Sequence, residues 1–170
     1  VVLKGVPTKV ALFVMSLPFC DAVYCQVFPK ECTETFQEGH VRGIAFFGGV
    51  PRRISYDNTK TAISKIIDSR DRELIQEFKR LKGYYLFESH FCLVRRPNEK
   101  GHVERLLEYA RSNFLVPVPE CDSLEELNGK LEEVCRQDQD RTPSRKKATI
   151  KHQLEEDQKA MLAAPSTMSP

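Results

Sequence analysis

The chain has 170 residues and a formal net charge of +2, with 41% hydrophobic and 29% charged residues. A chain of this length and composition fits a soluble protein that buries one hydrophobic core. The longest apolar run, Val10 to Leu17, is far shorter than the roughly 18 residues that cross a bilayer, and no signal-peptide layout is present. These features exclude a transmembrane class and predict a cytoplasmic protein without a membrane partner.

The first predicted elements are a β-hairpin, a helix and a strand. Two short apolar segments, Lys9 to Leu17 and Ala22 to Phe28, are separated by turn residues, which is typical of a hairpin. A helix is predicted from Thr33 to about Phe47, because apolar residues fall mostly on one face and Gly48-Gly49 ends the pattern. A strand is predicted from Arg52 to Asp57.

Helices dominate the prediction for the next part of the chain. One helix is expected from about Asp71 to Lys82 and ends at Gly83, after which Tyr84 to Val94 supplies strand material. Another helix is expected from about Lys100 to Asn113. Its apolar side is distinct from the side that carries Glu104, so this carboxylate should lie outside the core.

The last part of the chain is more polar. Ser123 begins a helix whose narrow leucine stripe is suited to docking on another surface. A basic linker is predicted from Arg141 to Lys147, a last helix from Ala148 to Ala164, and a disordered tail from Pro165 to Pro170. The linker cations can follow a DNA backbone or simply be solvated.

The cysteines and histidines predict packing roles. None of the six cysteines lies in a CxxC pair or has a histidine at zinc-finger spacing, which favours buried free thiols over a metal cluster. His40 and His90 lie among apolar residues, where a hydrogen-bonded packing histidine is the more common case. His152 is expected at the surface.

Two carboxylates are the candidates for chemistry. Asp57 ends a predicted strand and Glu104 lies on a predicted helix, and such a pair can converge on Mg²⁺, which prefers oxygen ligands and a phosphate as co-ligand. The alternatives are a turn-forming Asp57 followed by Asn58 and a solvated Glu104 in an i,i+4 pair. Glu99, in the same motif, is a weaker candidate because it precedes the predicted helix.

Cations surround this pair and suit a polyanionic substrate. A loop that enters a helix also favours Asn98 as a cap, so its role in DNA contact is open, as are those of Lys60, Lys100 and His102. The predicted DNA-contacting residues are Arg52, Arg53, Lys60, Arg95, Arg96, Asn98, Lys100, His102 and Arg105.

Two segments carry a family resemblance. The stretches FFGGVPRRISYDNTKTA from Phe46 and RRPNEKGHVERLLEYARSNFLVP from Arg95 closely resemble the catalytic core of IstA-type insertion-sequence transposases, which belong to the DDE integrase and transposase superfamily. The resemblance implies an α/β, ribonuclease H-like integrase core in which a mixed sheet is flanked by helices. It also implies that Asp57 is the second metal-binding Asp and Glu104 the Glu of the triad, holding two Mg²⁺ or Mn²⁺ ions in the complete enzyme.

By the same resemblance the first catalytic Asp lies on a strand that this chain is expected to lack. Asp21, in the predicted hairpin turn, cannot easily replace it, because that turn lies at the opposite end of the sheet from Asp57. The expected organisation is a partial core over residues 1–120, a helical extension with a basic linker over 121–164, and a disordered tail over 165–170. The chain by itself is expected to be inactive.

Two functions from different classes follow. The first is the partial catalytic core of a transposase that cleaves DNA at element ends and transfers the strands to a target. The alternative is a catalytically inactive remnant that only binds DNA or supports assembly. A third possibility, a structure-selective nuclease of the same fold, fits the carboxylates but not the transposase-like flanking segments. The resemblance implies double-stranded DNA, a homo-oligomer and an ATPase helper as partners.

Overall fold

The computed structural model describes residues 1–56, 63–66, 72–92 and 97–166, without the side chains of 63–66, 72, 73, 97–100, 102 and 103. The chain divides into two compact units. Unit 1 comprises Val1–Glu31 and Arg105–Lys159, and unit 2 comprises Cys32–Glu104 and Ala160–Pro170. None of the helices described is long and apolar enough to cross a membrane.

The described elements combine strands and helices, as in an α/β fold. In chain order they are β1 (Val2–Leu3), β2 (Val6–Pro7), β3 (Ala11–Leu17), β4 (Ala22–Phe28), α1 (Thr33–Phe47), β5 (Arg53–Tyr56), β6 (Ile63–Ile66), β7 (Arg72–Leu74), α2 (Gln76–Tyr85), β8 (Glu88–Phe91), α3 (Pro97–Phe114), β9 (Glu120–Cys121), α4 (Leu124–Asp138) and α5 (Ile150–Ala160).

The core of unit 1 is built on the predicted hairpin. Strands β3 and β4 pair antiparallel from Ala11 opposite Phe28 to Leu17 opposite Ala22. Every residue of β4 is buried, whereas β3 is buried mainly at its end. The apolar composition of both segments explains this burial, and the predicted hairpin is confirmed. A smaller sheet in the same unit has the strand order β2-β1-β9.

Helix α4 packs against β4 and covers it. The Ser123 side chain caps the helix by accepting a hydrogen bond from the Glu126 backbone N–H at 3.1 Å. Leu127 and Leu131, from the predicted stripe, are almost completely buried. This stripe therefore docks within unit 1, as the sequence indicated.

Unit 2 begins with helix α1, whose predicted bounds are confirmed. Gly48 adopts a left-handed conformation with φ of 73°, and its N–H donates to the carbonyl groups of Ile44 and Ala45. Strands β5 and β8 then pair in parallel, with Arg53 opposite Glu88 and Tyr56 opposite Phe91. The predicted strand from Arg52 to Asp57 is thus confirmed over Arg53–Tyr56.

The prediction for the segment before β8 was partly wrong. Strand β7 occupies Arg72–Leu74 and pairs antiparallel with β6, so the helix begins at Gln76 and not at Asp71. Gly83 lies inside α2, because Phe78, Leu81 and Tyr85 continue one buried face beyond it. The helix ends instead at Leu86, which adopts φ of 62° and ψ of 27°.

Two further helix boundaries also differ from the prediction. Helix α3 begins at Pro97, because a proline fits the first turn of a helix, where its missing N–H has no partner to lose. Asn98 and Glu99 therefore lie within the helix. Helix α5 is shorter than predicted and ends at Ala160, since Leu162 forms an antiparallel bridge with Val50. The predicted basic linker contains no helix or strand.

Candidate metal and DNA-binding site

The parallel pairing of β5 and β8 fixes the end of β5, the strand that precedes Asp57 in the sequence. The Glu88 N–H donates to the Arg52 carbonyl at 2.8 Å, and the Cys92 N–H donates to the Tyr56 carbonyl at 2.9 Å. The ladder therefore extends to the last residue before Asp57. Asp57 itself lies outside the described residues, so its predicted role in metal binding stays a prediction.

A buried hydrogen-bond pair anchors this end of β5. His40 Nδ1 lies 2.7 Å from the Phe36 carbonyl, so Nδ1 carries the hydrogen, and the Tyr56 hydroxyl donates to Nε2 at 2.8 Å. Burial lowers the pKa of His40 to about 4 and raises the pKa of Tyr56. The neutral tautomer can therefore accept from Tyr56 across the physiological range.

His40 is the packing histidine that the sequence predicted, but the same prediction for His90 was wrong. His90 is exposed because it lies on the outer face of β8, where alternate residues point away from the core. His152 is exposed as predicted. The sequence analysis missed the role of Tyr56, although its inward position two residues after Ile54 implied a buried hydroxyl that needs a partner.

Glu104 lies on α3 with its side chain exposed to solvent, as predicted. In the part of the chain that the structure describes, no side chain or backbone group forms a hydrogen bond or ion pair with its carboxylate. Ala110 on the same helix is completely buried, so Glu104 and Ala110 lie on different faces of α3. A solvent-facing carboxylate of this kind is available to a cation.

The predicted DNA-contacting residues divide into three groups. Arg52, Arg53 and Arg105 are exposed. Arg52 Nε donates to the Ala160 carbonyl at 2.8 Å, and Arg53 pairs with Glu88 at 3.2 Å. Asn98, Lys100 and His102 belong to α3, but their side chains are not described. Lys60, Arg95 and Arg96 lie outside the described residues.

Part of the basic linker is engaged within unit 1. Lys146 Nζ pairs with the Asp21 carboxylate at 2.8 Å and also donates to the Phe19 carbonyl. Arg141 pairs with Asp138 at 3.1 Å, and its guanidinium lies 5.2 Å from the centre of the Tyr109 ring. Both cations thus have protein partners, which reduces the charge that the linker offers to a DNA backbone. Asp21, in turn, is neutralised by a lysine.

The described side chains can be compared with the ligands that a metal ion requires. Within the described ranges, no group of three or more His, Cys, Asp or Glu side chains could hold a metal. Glu104 supplies the hard, exposed oxygen ligand that Mg²⁺ prefers. The other predicted ligand is Asp57, so whether the two carboxylates converge stays a prediction.

Comparisons with known proteins identify related sequences. No protein-family profile matches the chain. It is 34% identical over 136 residues to a transposase of Aminobacter aminovorans, covering 80% of this chain and 27% of the relative. It is 32% identical over 130 residues to the transposase for insertion sequence element IS21 of Pseudomonas aeruginosa, covering 76% of this chain and 33% of the relative. The chain therefore spans about a quarter to a third of the length of these curated relatives.

A solved structure is similar in fold. The intasome of simian T-cell lymphotropic virus, in complex with the PP2A regulatory subunit B56 gamma, superposes with a TM-score of 0.68 and 18% identity. The match covers 99% of this chain and 56% of that chain. It confirms the predicted ribonuclease H-like integrase fold.

Proposed function

This chain is homologous to a segment of the insertion-sequence transposases, and on that basis we propose that it forms part of a transposase catalytic core that acts on DNA. In this proposal the complete protein cleaves DNA at the element ends and transfers the strands to a target. The observation that carries the proposal is the sequence similarity to transposases over about four fifths of the chain.

The site of the proposed reaction lies at the carboxyl-terminal edge of β5 and β8. Because the two strands run parallel, the chain leaves both of them at the same edge. From one strand it continues directly into Asp57, and from the other it continues to α3, which carries Glu104. Because both strands end at this edge, the topology supports a single metal site formed by Asp57 and Glu104, which are distant in the sequence.

Asp57 and Glu104 would hold Mg²⁺ or Mn²⁺ at this edge. When bound, such ions favour attack of a water or a DNA 3′-hydroxyl on phosphate and stabilise the leaving oxygen. The chain's own contribution is positional. The buried contact between His40 and Tyr56 holds the strand end before Asp57, and the register of β5 with β8 aligns it with the segment that leads to α3.

The proposed DNA contacts belong to three exposed arginines of the described chain. Arg52, Arg53 and Arg105 are exposed, and phosphate binding by such side chains releases counterions and depends strongly on salt. Arg53 would exchange its surface ion pair with Glu88 for a phosphate, a small loss because exposed pairs contribute about 0 to 1 kcal/mol. A homo-oligomer and an ATPase helper are proposed as further partners.

The test uses the complete protein of which this chain is a segment, with element-end DNA and Mg²⁺. Glu104→Gln should abolish cleavage and strand transfer while DNA affinity changes little, because a carboxylate that holds metal does not bind phosphate directly. Glu108→Gln is the matched control, since Glu108 is also exposed on α3, one turn further along. Asp57→Asn should behave like Glu104→Gln.

Two results would contradict the assignment. Full strand transfer by the Glu104→Gln protein, or an equal loss in the Glu108→Gln protein, would show that Glu104 does not hold the metal. Salt-dependent DNA binding by a complete wild-type protein that performs no reaction with Mg²⁺ or Mn²⁺ would favour the alternative role in DNA binding or assembly.

A further inference from the structure

Two buried cysteines meet inside unit 1. Cys25 lies on β4 and Cys135 on α4, and their exposed fractions are 1% and 0%. Their sulfur atoms are 3.6 Å apart, although the residues are 110 positions apart in the sequence. Both thiols are free.

Other cysteines in the described part of the chain have different neighbours. Cys20 Sγ faces the Leu17 carbonyl at 3.8 Å, Cys32 Sγ faces Thr35 Oγ1 at 3.4 Å, and Cys121 Sγ lies 3.5 Å from Lys130 Nζ. The contact between Cys25 and Cys135 is thus a specific pairing of two thiols. It is held in place by the packing of Leu127 and Leu131 on the same helix.

We propose that Cys25 and Cys135 form a reversible disulfide that joins α4 to β4 when the protein meets a small two-electron oxidant such as hydrogen peroxide. One sulfur attacks a peroxide oxygen, which breaks the O–O bond and gives a sulfenic acid and one water. The second sulfur then attacks the sulfenic sulfur, the S–S bond forms, and the hydroxyl leaves with a proton as a second water. Each thiol gives up one proton and one electron.

The geometry requires only a small movement. A disulfide bond is about 2.05 Å long, so the sulfur atoms must approach by about 1.5 Å from their separation of 3.6 Å. Rotation about the side-chain bonds and a slight shift of α4 can supply this distance. The hydrogen bond between the two thiols and burial raise the pKa of Cys25, whereas the same hydrogen bond lowers the pKa of Cys135, so Cys135 is the sulfur that attacks the peroxide first.

The disulfide would have a direct effect on stability. It closes a loop between residues 110 positions apart, which restricts the unfolded chain strongly. It also links the strand to the helix that covers it. Oxidation should therefore raise the melting temperature of the chain by at least about 5 °C.

The test uses the 170-residue chain with Cys32→Ser, because Cys32 is the partly exposed thiol among the six cysteines and could link two copies. Hydrogen peroxide is added to the folded protein, and peptide mapping by mass spectrometry is done before and after reduction with dithiothreitol. We expect a linked pair of peptides that contain Cys25 and Cys135, two hydrogens lighter than the reduced pair, and a higher melting temperature. Reduction should restore both the mass and the original melting temperature.

A variant with the additional change Cys135→Ala is the control, and peroxide should neither link its peptides nor raise its melting temperature. Because the oxidised and reduced forms of one protein are compared, the result does not depend on how well this variant folds. The proposal is overturned if the linked peptides form only in urea, if Cys25 links equally to other cysteines, or if the linked protein melts no higher than the reduced one.

Discussion

The side-chain amide of Asn128 on α4 hydrogen-bonds to both backbone groups of Val27 on β4. The Val27 N–H donates to Asn128 Oδ1 at 2.8 Å, and Asn128 Nδ2 donates to the Val27 carbonyl at 2.9 Å. The amide thus takes the place of one residue of a neighbouring strand. A strand edge that would otherwise offer unpaired groups is satisfied by a helix side chain.

Asn128→Ala should therefore destabilise the chain substantially. Two hydrogen bonds are lost and the Val27 backbone groups stay covered by α4, so the free energy of unfolding should fall by about 1–3 kcal/mol. Urea unfolding followed by circular dichroism measures this change. Glu125→Gln, at an exposed position of the same helix, should change stability by less than about 0.5 kcal/mol. Equal effects of the two substitutions would mean that the amide pairing contributes nothing.

Gly83→Ala should stabilise unit 2. Gly83 lies inside α2, is exposed, and has open space where a Cβ atom would be added. Alanine restricts the unfolded chain and favours a helix, so the free energy of unfolding should rise by about 0.5–1 kcal/mol. Thermal unfolding of the variant and the wild type decides the matter. A lower melting temperature would show that this position is not helical in solution.

Leu86→Gly should also stabilise the protein, although a substitution by glycine usually lowers the stability of a folded protein. Leu86 has φ of 62° and its side chain is 74% exposed, so the substitution removes strain while little buried surface is lost. The expected gain in the free energy of unfolding is up to about 1 kcal/mol. Leu106→Gly on α3 is the contrasting control and should destabilise, because it places glycine inside a helix and removes a half-buried side chain. If Leu86→Gly destabilises as well, Leu86 makes contacts in solution that offset its strain.

The buried imidazole of His40 predicts a loss of stability in acid. Because the folded-state pKa is about 4 and an unfolded histidine has a pKa of about 6.5, the unfolded chain binds the extra proton first as the pH falls. Stability should be unaffected by this group above about pH 6.5 and fall by up to about 1.4 kcal/mol per pH unit between 6.5 and 4. In NMR, the His40 ring signals should not titrate between pH 7.5 and 5.5. Titration of the His40 ring near pH 6.5 would refute the buried, neutral assignment.

Arg53→Gln should weaken binding of the chain to double-stranded DNA and reduce its salt dependence. The slope of log affinity against log salt should become less steep by about 0.9 for each phosphate contact that is lost. Arg136→Gln is the matched control, because Arg136 is likewise an exposed arginine paired with a glutamate, at 2.7 Å from Glu132. A salt titration monitored by fluorescence anisotropy gives both slopes. Identical slopes for wild type and Arg53→Gln would show that Arg53 does not contact DNA phosphate.

The sequence predicted the strongly patterned elements well. The hairpin and α1 were found within two residues of their bounds, because each combines a clear apolar pattern with a turn or glycine that ends it. The segment before α2 was not predicted, since Leu74 fits the spacing of a helix but belongs to a strand. Antiparallel pairing with β6, the strand just before it in the sequence, decided its conformation, and helical periodicity does not report such pairing.

The candidate site could be predicted only where local sequence pattern carries the information. A carboxylate at a strand end and another on the polar side of a helix can be recognised by local pattern. Glu104 is exposed, as its position outside the apolar side of the helix indicated, and its role in holding a metal stays a prediction. The hydrogen bond between His40 and Tyr56 could not be predicted from local pattern, because it joins residues of α1 and β5 that meet only when these elements pack together. The proposed division at residue 120 stays a prediction.

The hairpin of unit 1 has a consequence for synthesis on the ribosome. Strands β3 and β4 emerge before α4 and can pair at once, but Asn128, which completes the edge of β4, follows Val27 by 101 positions. Until α4 has left the exit tunnel, a largely apolar strand has one open edge, and open strand edges promote association between chains. Slow translation over the intervening residues should therefore increase aggregation of the nascent chain, and Asn128→Ala should have the same effect after release.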